Sequence, residues 1–527
     1  MKCEATGDTL HVMGMKPDHS SGSVAKHYHD ETRHSHWSVR QSGHYLDWDN
    51  KPFPFKIYPA LTAIPLRREF PHPSLPALDA LTMREARGGR VTIETLASLL
   101  FFSAGVTKKK SFPGGQEYYF RAAASTGALY EVEVYLVTSE IPGLEAGVYH
   151  FCPGDFSLRR LREGDYRQAL ARAASDESVA HAPVTLILTA IFWRNVWKYQ
   201  ARAYRHCYWD SGTMLANSLA AAAALQLPAR VVTGFIDADV ERLIGVDGER
   251  EGALELFVVG SSGVPAPPSP PVDPIQYAII PLSHHEVEEP LIREMHAASA
   301  LATQADVHAW RQGSPLSSLK PPADLSPIKP LPDPKSLPLT DTIIRRGSTR
   351  RFAQVEISLS QLSTILRAST QEIPADAFGG PGQRLSQLYL IVNAVGGLHP
   401  GAYYYWPETE GFELLKDGEF RSQAGYLCLE QELGADASAV IFFFSNLREI
   451  LSRYGNRGYR LANLEAGIIG GNCYLAAYSL GLGASGLTFY DNDTIGFFSP
   501  HAEGKDAIFV TVLGRAAKGL GRPVRLV

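Results

Sequence analysis

Two stretches of this 527-residue chain align without a gap: KYQARAYR followed by SGTMLANSLAAAAALQL, and RYGNRGYR followed by AGIIGGNCYLAAYSLGL. Tyr199 and Tyr454, Arg202 and Arg457, Tyr204-Arg205 and Tyr459-Arg460, Gly212 and Gly467, and Asn217 and Asn472 all keep one offset of 255. Upstream, YLVTSEIPGLEAGVYHF from position 135 repeats as YLIVNAVGGLHPGAYYY from 389, at an offset of 254. Identity at fixed spacing across so many residue types means that one fold occurs twice. Two copies of about 200 residues with a connector fit the length, and each falls in the usual range for a domain. A covalently fused pseudo-dimer is expected.

The expected division is an amino-terminal arm at 1–45, a first copy at 46–263, a proline-rich connector with a helix at 264–338 and a second copy at 339–527. The connector stretches VPAPPSPPVDP (264–274) and PLSSLKPPADLSPIKPLPDPKSLP (315–338) are dense in proline, which removes amide donors and favours extended chain. Between them, 285–311 reads as a helical stretch with an acidic start, packed on a domain. Inside the copies, VTIETLASLLFFSAG and SLSQLSTILRAST read as helices, and EVEVYLVT, SQLYLIVN, GVYHF and GAYYYW as strands. VTLILTAIF and AVIFFFSN are near-continuous apolar runs of the kind buried on both faces. The fold class is α+β: in each copy a mixed sheet wrapped by helices. The small-residue helices at 211–226 and 464–481 are expected to pair across the copies.

Composition excludes several functions. With 45% hydrophobic and 20% charged residues, a net charge of −5 and no apolar run near the length of a bilayer span, nothing attracts nucleic acid or a membrane. Lys108–Lys110 read as a solvated loop. The amino terminus carries no signal-type apolar region, and five scattered cysteines without CxxC spacing imply reduced thiols in the cytoplasm. His27, His29, His34 and His36 invite a metal, but no second His or Cys cluster completes a ligand shell. An amphipathic arm accounts for them, and no metal is expected.

The chemistry starts at TIIRRGSTRRF (342–352). Guanidinium forks pair bidentately with phosphate oxygens and a hydroxyl adds a donor, so Arg346, Ser348 and Arg350 make a candidate phosphate clamp. Alone, the segment reads equally well as a basic solvated one.

RRGSTRRF resembles the phosphate-binding signature of the nitroreductase-like flavoenzymes. RAAASTGALYEVEVYLV (121–137), KYQARAYR and the Gly212…Asn217 helix resemble the SagB-type, azoline-oxidase-like dehydrogenases, and the likeness runs from about residue 27 to the carboxyl end. The resemblance implies bound FMN, two embracing nitroreductase units and flavin sites between them. Each flavin then takes its clamp from one unit (Arg346, Ser348, Arg350) and a serine turn from the other. That turn is Ser125, Gly127 and Leu129, with Arg121 ahead of it. Arg515 stands where family members place a basic phosphate ligand, and Thr488 and Phe489 where a backbone amide meets the flavin N5. Such an amide stabilises the reduced flavin.

Aligned at 254, Ser125, Gly127 and Leu129 fall on Gly379, Pro381 and Gln383. Aligned at 266 through Leu96 and Leu362, the clamp falls on Ala80, Thr82 and Arg84, and Arg515 faces Ser261. One complete composite site is therefore expected, with clamp from the second copy and turn from the first; two ordinary flavins are the alternative. Lys198 and Tyr199 match the Lys-Tyr pair of the azoline-oxidising relatives, where dehydrogenation needs a base while hydride passes to N5. The second copy has Arg453-Tyr454, and arginine stays protonated. A Lys-Tyr pair also suits a plain salt bridge and cap.

The expected activity is FMN-dependent two-electron dehydrogenation of a small or peptide-derived substrate, with oxygen or another acceptor taking the electrons. The rivals are an NAD(P)H-dependent nitro- or quinone reductase and a non-catalytic protein with a vacant cleft. A monomer suffices for the pseudo-dimer.

Overall fold

A computed structural model of the protein describes residues 22–83, 86, 88–111, 117–313, 316, 320–322, 325, 335–378, 383–517 and 525–526. Each copy is built on one sheet. The strands of the first are β1 Ala63–Pro65, β2 Val132–Thr138, β3 Gly147–Cys152, β4 Ser157–Glu163, β5 Val184–Ile191, β6 Ala229–Val232 and β7 Glu251–Val259. Those of the second are β8 Gln387–Val392, β9 Gly401–Trp406, β10 Gly411–Asp417, β11 Ala439–Ser445, β12 Gly483–Leu487 and β13 Asp506–Gly514. Their orders, β1-β4-β3-β2-β5-β7-β6 and β10-β9-β8-β11-β13-β12, coincide once the extra edge strand β1 is set aside. The repeat read in the sequence is thus a repeat of topology.

Every neighbour pair in these two sheets is antiparallel, so the expectation of mixed sheets is corrected. The β2-β3-β4 and β8-β9-β10 runs are joined by short turns, which force reversal of direction. Among the described residues, parallel pairing is confined to Ile357–Ser358 with Val395–Gly396 and to isolated bridges such as Val231 with Ala375. β5 and β11 sit inside their sheets and are buried throughout, which is why they read as continuous apolar runs.

The principal helices are α1 Ser23–Glu31, α2 Ala77–Thr82, α3 Phe192–Tyr199, α4 Ala203–Ala224, α5 Leu339–Arg345, α6 Leu447–Tyr454 and α7 Arg457–Ser479. α4 and α7 cross at the centre of the molecule. A Cβ on Gly212 would lie 2.7 Å from the Gly467 carbonyl carbon, and one on Gly467 would lie 2.7 Å from the Trp209 carbonyl oxygen. These glycines occupy the same repeat position, so the backbones touch on the pseudo-twofold axis, where no side chain fits.

Two buried ion clusters tie the copies on either side of that crossing. Arg202, just ahead of α4, and Arg205 of α4 meet Asp491 at 3.0 and 2.9 Å, and Arg457 and Arg460 of α7 meet Asp237 at 2.7 and 2.8 Å. The arginines that recur in the repeat are therefore architectural. Helix α1 lies over the axis: Tyr28 packs edge-on against Tyr204 and Tyr459, each at 5.6 Å, and the Ala25 amide donates to Asn456 Oδ1 at 3.0 Å. His29 is spent there as well, 3.2 Å from both the Tyr459 hydroxyl and Asp506.

The connector holds two helices where one stretch was expected, Pro290–Ala298 and Gln304–Arg311, because Thr303 starts a new capping box with Asp306. Both pack through buried Ile292, Met295, Val307 and Trp310. Lys108–Lys110 lie in a strand, Val106–Ser111, paired with Glu117–Arg121, and not in a solvated loop. Lys108 Nζ donates to the Arg346 carbonyl at 2.7 Å. Cys152, Cys207, Cys428 and Cys473 are free and buried. Among the described residues no helix is long and apolar enough to cross a membrane.

Candidate active site

A cleft of about 310 Å³ opens between the copies. Ala124–Gly127, Lys198, Tyr199 and the α4 residues His206, Trp209, Asp210 and Thr213 form its first-copy wall. The second copy closes it with Ser348, Arg350, Gln431, Tyr474, Phe509 and the end of edge strand β12 with Thr488. Seven of the sequence candidates meet here: Ser125, Gly127, Lys198, Tyr199, Ser348, Arg350 and Thr488.

Buried carboxylates hold the first-copy turn. Thr126 donates through its amide and hydroxyl to Asp210 at 2.6 and 2.8 Å. Ser125 Oγ accepts the Tyr130 amide at 3.0 Å and lies 3.4 Å from Glu131. Burial pushes the carboxyls of Glu131 and Asp210 above their ordinary range. Gly127 has φ 64°, and a Cβ there would lie 2.9 Å from the Tyr199 hydroxyl, so glycine is required twice over.

Lys198 and Tyr199 end α3. Lys198 is half-buried and has no hydrogen-bond partner among the described residues; burial first, then the charges of Arg350 and Lys51, lower its pKa. Burial raises that of Tyr199, and Asp210 and Glu131 raise it further. A lysine that gives up its proton easily beside a phenol that keeps its own is an arrangement for taking a proton.

On the facing wall, Ser348 Oγ is 3.2 Å from the Tyr474 hydroxyl, which accepts the Gly486 amide at 2.5 Å. Arg350 is exposed at the mouth, so this end presents a cation and a hydroxyl to an anionic group.

The other candidates do not line the cleft. Arg346 is buried and donates to the carbonyls of Ala122 and Arg121 at 2.9 and 2.8 Å, so it braces the two copies. Arg121 turns into the first copy and donates to Pro54 and Val132. Leu129 is core, as the residue that anchors the turn from below. Phe489 is fully buried under the Arg202 guanidinium at 5.2 Å, leaving only its backbone near the cleft. Arg515 follows β13 on the exposed surface, where its carbonyl accepts from Ala353.

At the pseudo-symmetric position the chain itself takes the matching backbone donors, beside a cleft of about 410 Å³ lined by Ala86, Leu219 and Pro374. At offset 255, Thr488 and Phe489 correspond to Thr233 and Gly234. The Asp376 carboxylate accepts their amides at 2.8 and 3.0 Å and the Thr233 hydroxyl at 2.7 Å, while Arg311 pairs with it at 2.8 Å. No such carboxylate covers Thr488 and Phe489 among the described residues, and the Thr488 hydroxyl is buried without a partner.

Alignment of the clamp is corrected too. Helices α2 and α5 both begin after a proline, Pro76 and Pro338, which bridge each other. This sets an offset of 262 and puts Ala86 and Gly88 opposite Ser348 and Arg350. The start of α5 lies four residues further from the next helix, Leu359–Ser369, than the start of α2 lies from Ile93–Ala104, which misled the count from that helix. Arg84, Gly379 and Pro381 lie outside the described residues. In the second copy, Glu465 takes the Asp210 position and accepts the Leu385 and Ser386 amides at 2.9 and 2.6 Å.

Sequence reasoning missed Asp210, His206, Asn195, Tyr474 and Gln431. For His206 and Asn195 a signal existed: their counterparts at 255 are Leu461 and Ile450, so the copies differ in polarity just where they share helical spacing.

Comparison with known proteins follows the same lines. The nitroreductase family profile matches residues 83–261 and 343–498, one segment in each copy. A crystal structure from Anabaena variabilis ATCC 29413, described as that of a nitroreductase, superimposes with a TM-score of 0.77 at 28% identity over 94% of this chain and 99% of its own. A Methanocaldococcus jannaschii protein described as a nitroreductase is 33% identical over 168 residues, 31% of this chain and 85% of that protein. The trifolitoxin-processing protein TfxB of Rhizobium leguminosarum bv. trifolii is 29% identical over 175 residues, 32% of this chain and 47% of its own, so the match spans about half of TfxB.

Proposed function

The chain belongs to the nitroreductase family, and on that premise we propose that it is an FMN-dependent oxidoreductase with one flavin site, built jointly by residues 46–263 and 339–527. The observation that carries this reading is the asymmetry of the two equivalent positions: at one, Thr488 lines an open cleft built by both copies, and at the other the matching Thr233 and Gly234 amides are taken by Asp376. The cleft's groups fit the cofactor. Arg350 and Ser348 suit its phosphate and ribityl chain, the Ser125–Gly127 turn suits its flank, and the Thr488 hydroxyl and His206 Nε2 are buried polar atoms in want of partners.

The preferred reaction is dehydrogenation of a peptide-derived heterocycle or a similar small molecule, a reading supported by the likeness to TfxB. Bound FMN would supply the two-electron acceptor. Lys198 in its neutral form takes the proton from the carbon or nitrogen next to the one that loses hydride, so the substrate loses one hydride and one proton. Tyr199, kept protonated by burial beside two carboxyls, orients the substrate by donating a hydrogen bond. The electrons leave to oxygen or another acceptor, and a single chain suffices.

Purification tests this directly. A yellow protein with a flavin-to-chain ratio near one and turnover of a thiazoline dipeptide to the thiazole is expected. A ratio near two overturns the single site. Rapid anaerobic bleaching by NADPH, with no thiazoline turnover, replaces the dehydrogenase by a reductase, and a protein that stays colourless with added FMN sinks the enzyme reading.

A further inference from the structure

Asn195 and His206 form a buried polar pair behind the inner wall of the cleft, unused by the chemistry above. His206 Nδ1 is 2.7 Å from Asn195 Oδ1, and Asn195 Nδ2 is buried with no hydrogen-bond partner among the described residues. With the amide oxygen toward the ring, Asn195 accepts and Nδ1 donates, which leaves Nε2 without a proton. Nε2 is buried and has no partner among the described residues, although His206 lines the cleft. The ring is held edge-on by Tyr199 at 4.6 Å and tilted against Trp209 at 4.8 Å.

The repeat provides an internal control. The same two positions in the second copy are Ile450 and Leu461, both buried in the matching pair of helices α6 and α7. The fold thus packs this junction well with aliphatic side chains. An unpaired buried acceptor is destabilising, so the polar pair earns its place only when something in the cleft bonds to it. Burial, with the charges of Arg202, Arg205 and Lys198 and the nearby His34, holds the imidazole well below its ordinary range, and it stays a neutral acceptor.

We propose that His206, locked by Asn195 as the Nδ1–H tautomer, presents Nε2 as a hydrogen-bond acceptor for an N–H or O–H of the cleft's occupant, making this wall selective for a donor-bearing ligand. The inference rests on the flavin-enzyme reading. The donor has two possible sources: the ring imide N–H of the flavin, or an N–H or O–H of the substrate.

The test combines ¹⁵N-histidine NMR of the purified holoprotein with two variants, His206→Leu and the double Asn195→Ile/His206→Leu, which installs the second copy's own pair and keeps the helices packed. NMR should show an unprotonated Nε2 and a protonated Nδ1 at His206 throughout the neutral range; a proton on Nε2 overturns the proposal. FMN and 3-methyl-FMN, which lacks the imide donor, are then titrated against apoprotein. If the flavin is the donor, wild type prefers FMN by about tenfold and both variants lose the preference. If the substrate is the donor, flavin affinities are unchanged and KM for the thiazoline dipeptide rises by about tenfold in both. Unchanged flavin preference together with unchanged KM overturns the proposal. Should wild type bind no flavin at all, the enzyme reading fails while the NMR arm still decides the state of His206.

Discussion

Asp376 of the second copy sets its carboxylate 2.8 Å from the backbone amide of Thr233 in the first, on the very donor whose repeat partner, Thr488, faces the open cleft. The neighbouring strand edge is sealed in the same way, with the Val231 amide donating to the Pro374 carbonyl at 2.8 Å. A carboxylate from the chain itself thus occupies the donors that a second ligand would need. Asp376→Ala leaves the Thr233 and Gly234 amides and Arg311 without their acceptor. A loss of about 2–4 kcal/mol is expected, read as a lower urea midpoint, with the flavin-to-chain ratio still near one because the clamp is missing there too. A ratio that climbs toward two on adding FMN would show that Asp376 alone excludes the second flavin.

Two arginines of RRGSTRR, Arg346 and Arg350, have different fates, and their variants should separate. Arg350 is exposed at the cleft mouth, so Arg350→Ala should weaken FMN binding by about tenfold or more and leave the unfolding midpoint unchanged. Arg346 is buried on two first-copy carbonyls, so Arg346→Ala should cost about 1–3 kcal/mol of stability, with flavin loss following from loosened copies. Parallel fluorescence titration and urea unfolding check both; equal effects on affinity without any change in stability would return Arg346 to the clamp.

How much of this was legible in the sequence follows from which features repeat and which do not. The constant offset through Tyr199 and Tyr454 carried the topology, the crossing of α4 with α7 and the partner role of Arg202 and Arg457, because residues on a shared helix keep their spacing. The cleft was readable where motif residues have side chains free to face it, as at Ser348 and Lys198. It was misread at Arg121 and Leu129, where the motif fixes the backbone and the side chain turns into the core. Asp376 was invisible: it stands in a segment unlike anything in the first copy, and its role exists only once two distant strands are side by side.

The glycine crossing can be tested with its own control. A Cβ on Gly467 would lie 2.7–2.8 Å from the Trp209 and Tyr208 carbonyl oxygens, backbone atoms of a fully buried helix that cannot yield. Gly467→Ala should destabilise by about 1–3 kcal/mol and lower flavin affinity, since Trp209 and Asp210 on the displaced helix line the cleft. Gly496 is also helical but has open space around its Cβ position, so Gly496→Ala should be neutral or mildly stabilising. Thermal unfolding of the pair gives the comparison.

Lys198 carries the pH dependence. Burial and the charges of Arg350 and Lys51 disfavour its ammonium form, so the neutral amine appears at lower pH than for an ordinary lysine. Turnover should therefore rise with pH through that lowered pKa and then level off. Lys198→Arg, which installs the second copy's residue, keeps the charge and removes the base; kcat should fall by about 100-fold or more with flavin retained, since no phosphate contact is lost. Lys51→Gln gives the sign. Lys51 stacks over the Trp48 and Tyr118 rings at 5.8 and 5.0 Å and adds a cation near Lys198. Removing that cation relieves the repulsion, stabilises the ammonium and raises the pKa, so the rising limb of the kcat profile should move to higher pH. A limb that stays fixed in Lys51→Gln, or that survives in Lys198→Arg, assigns the titration to another group.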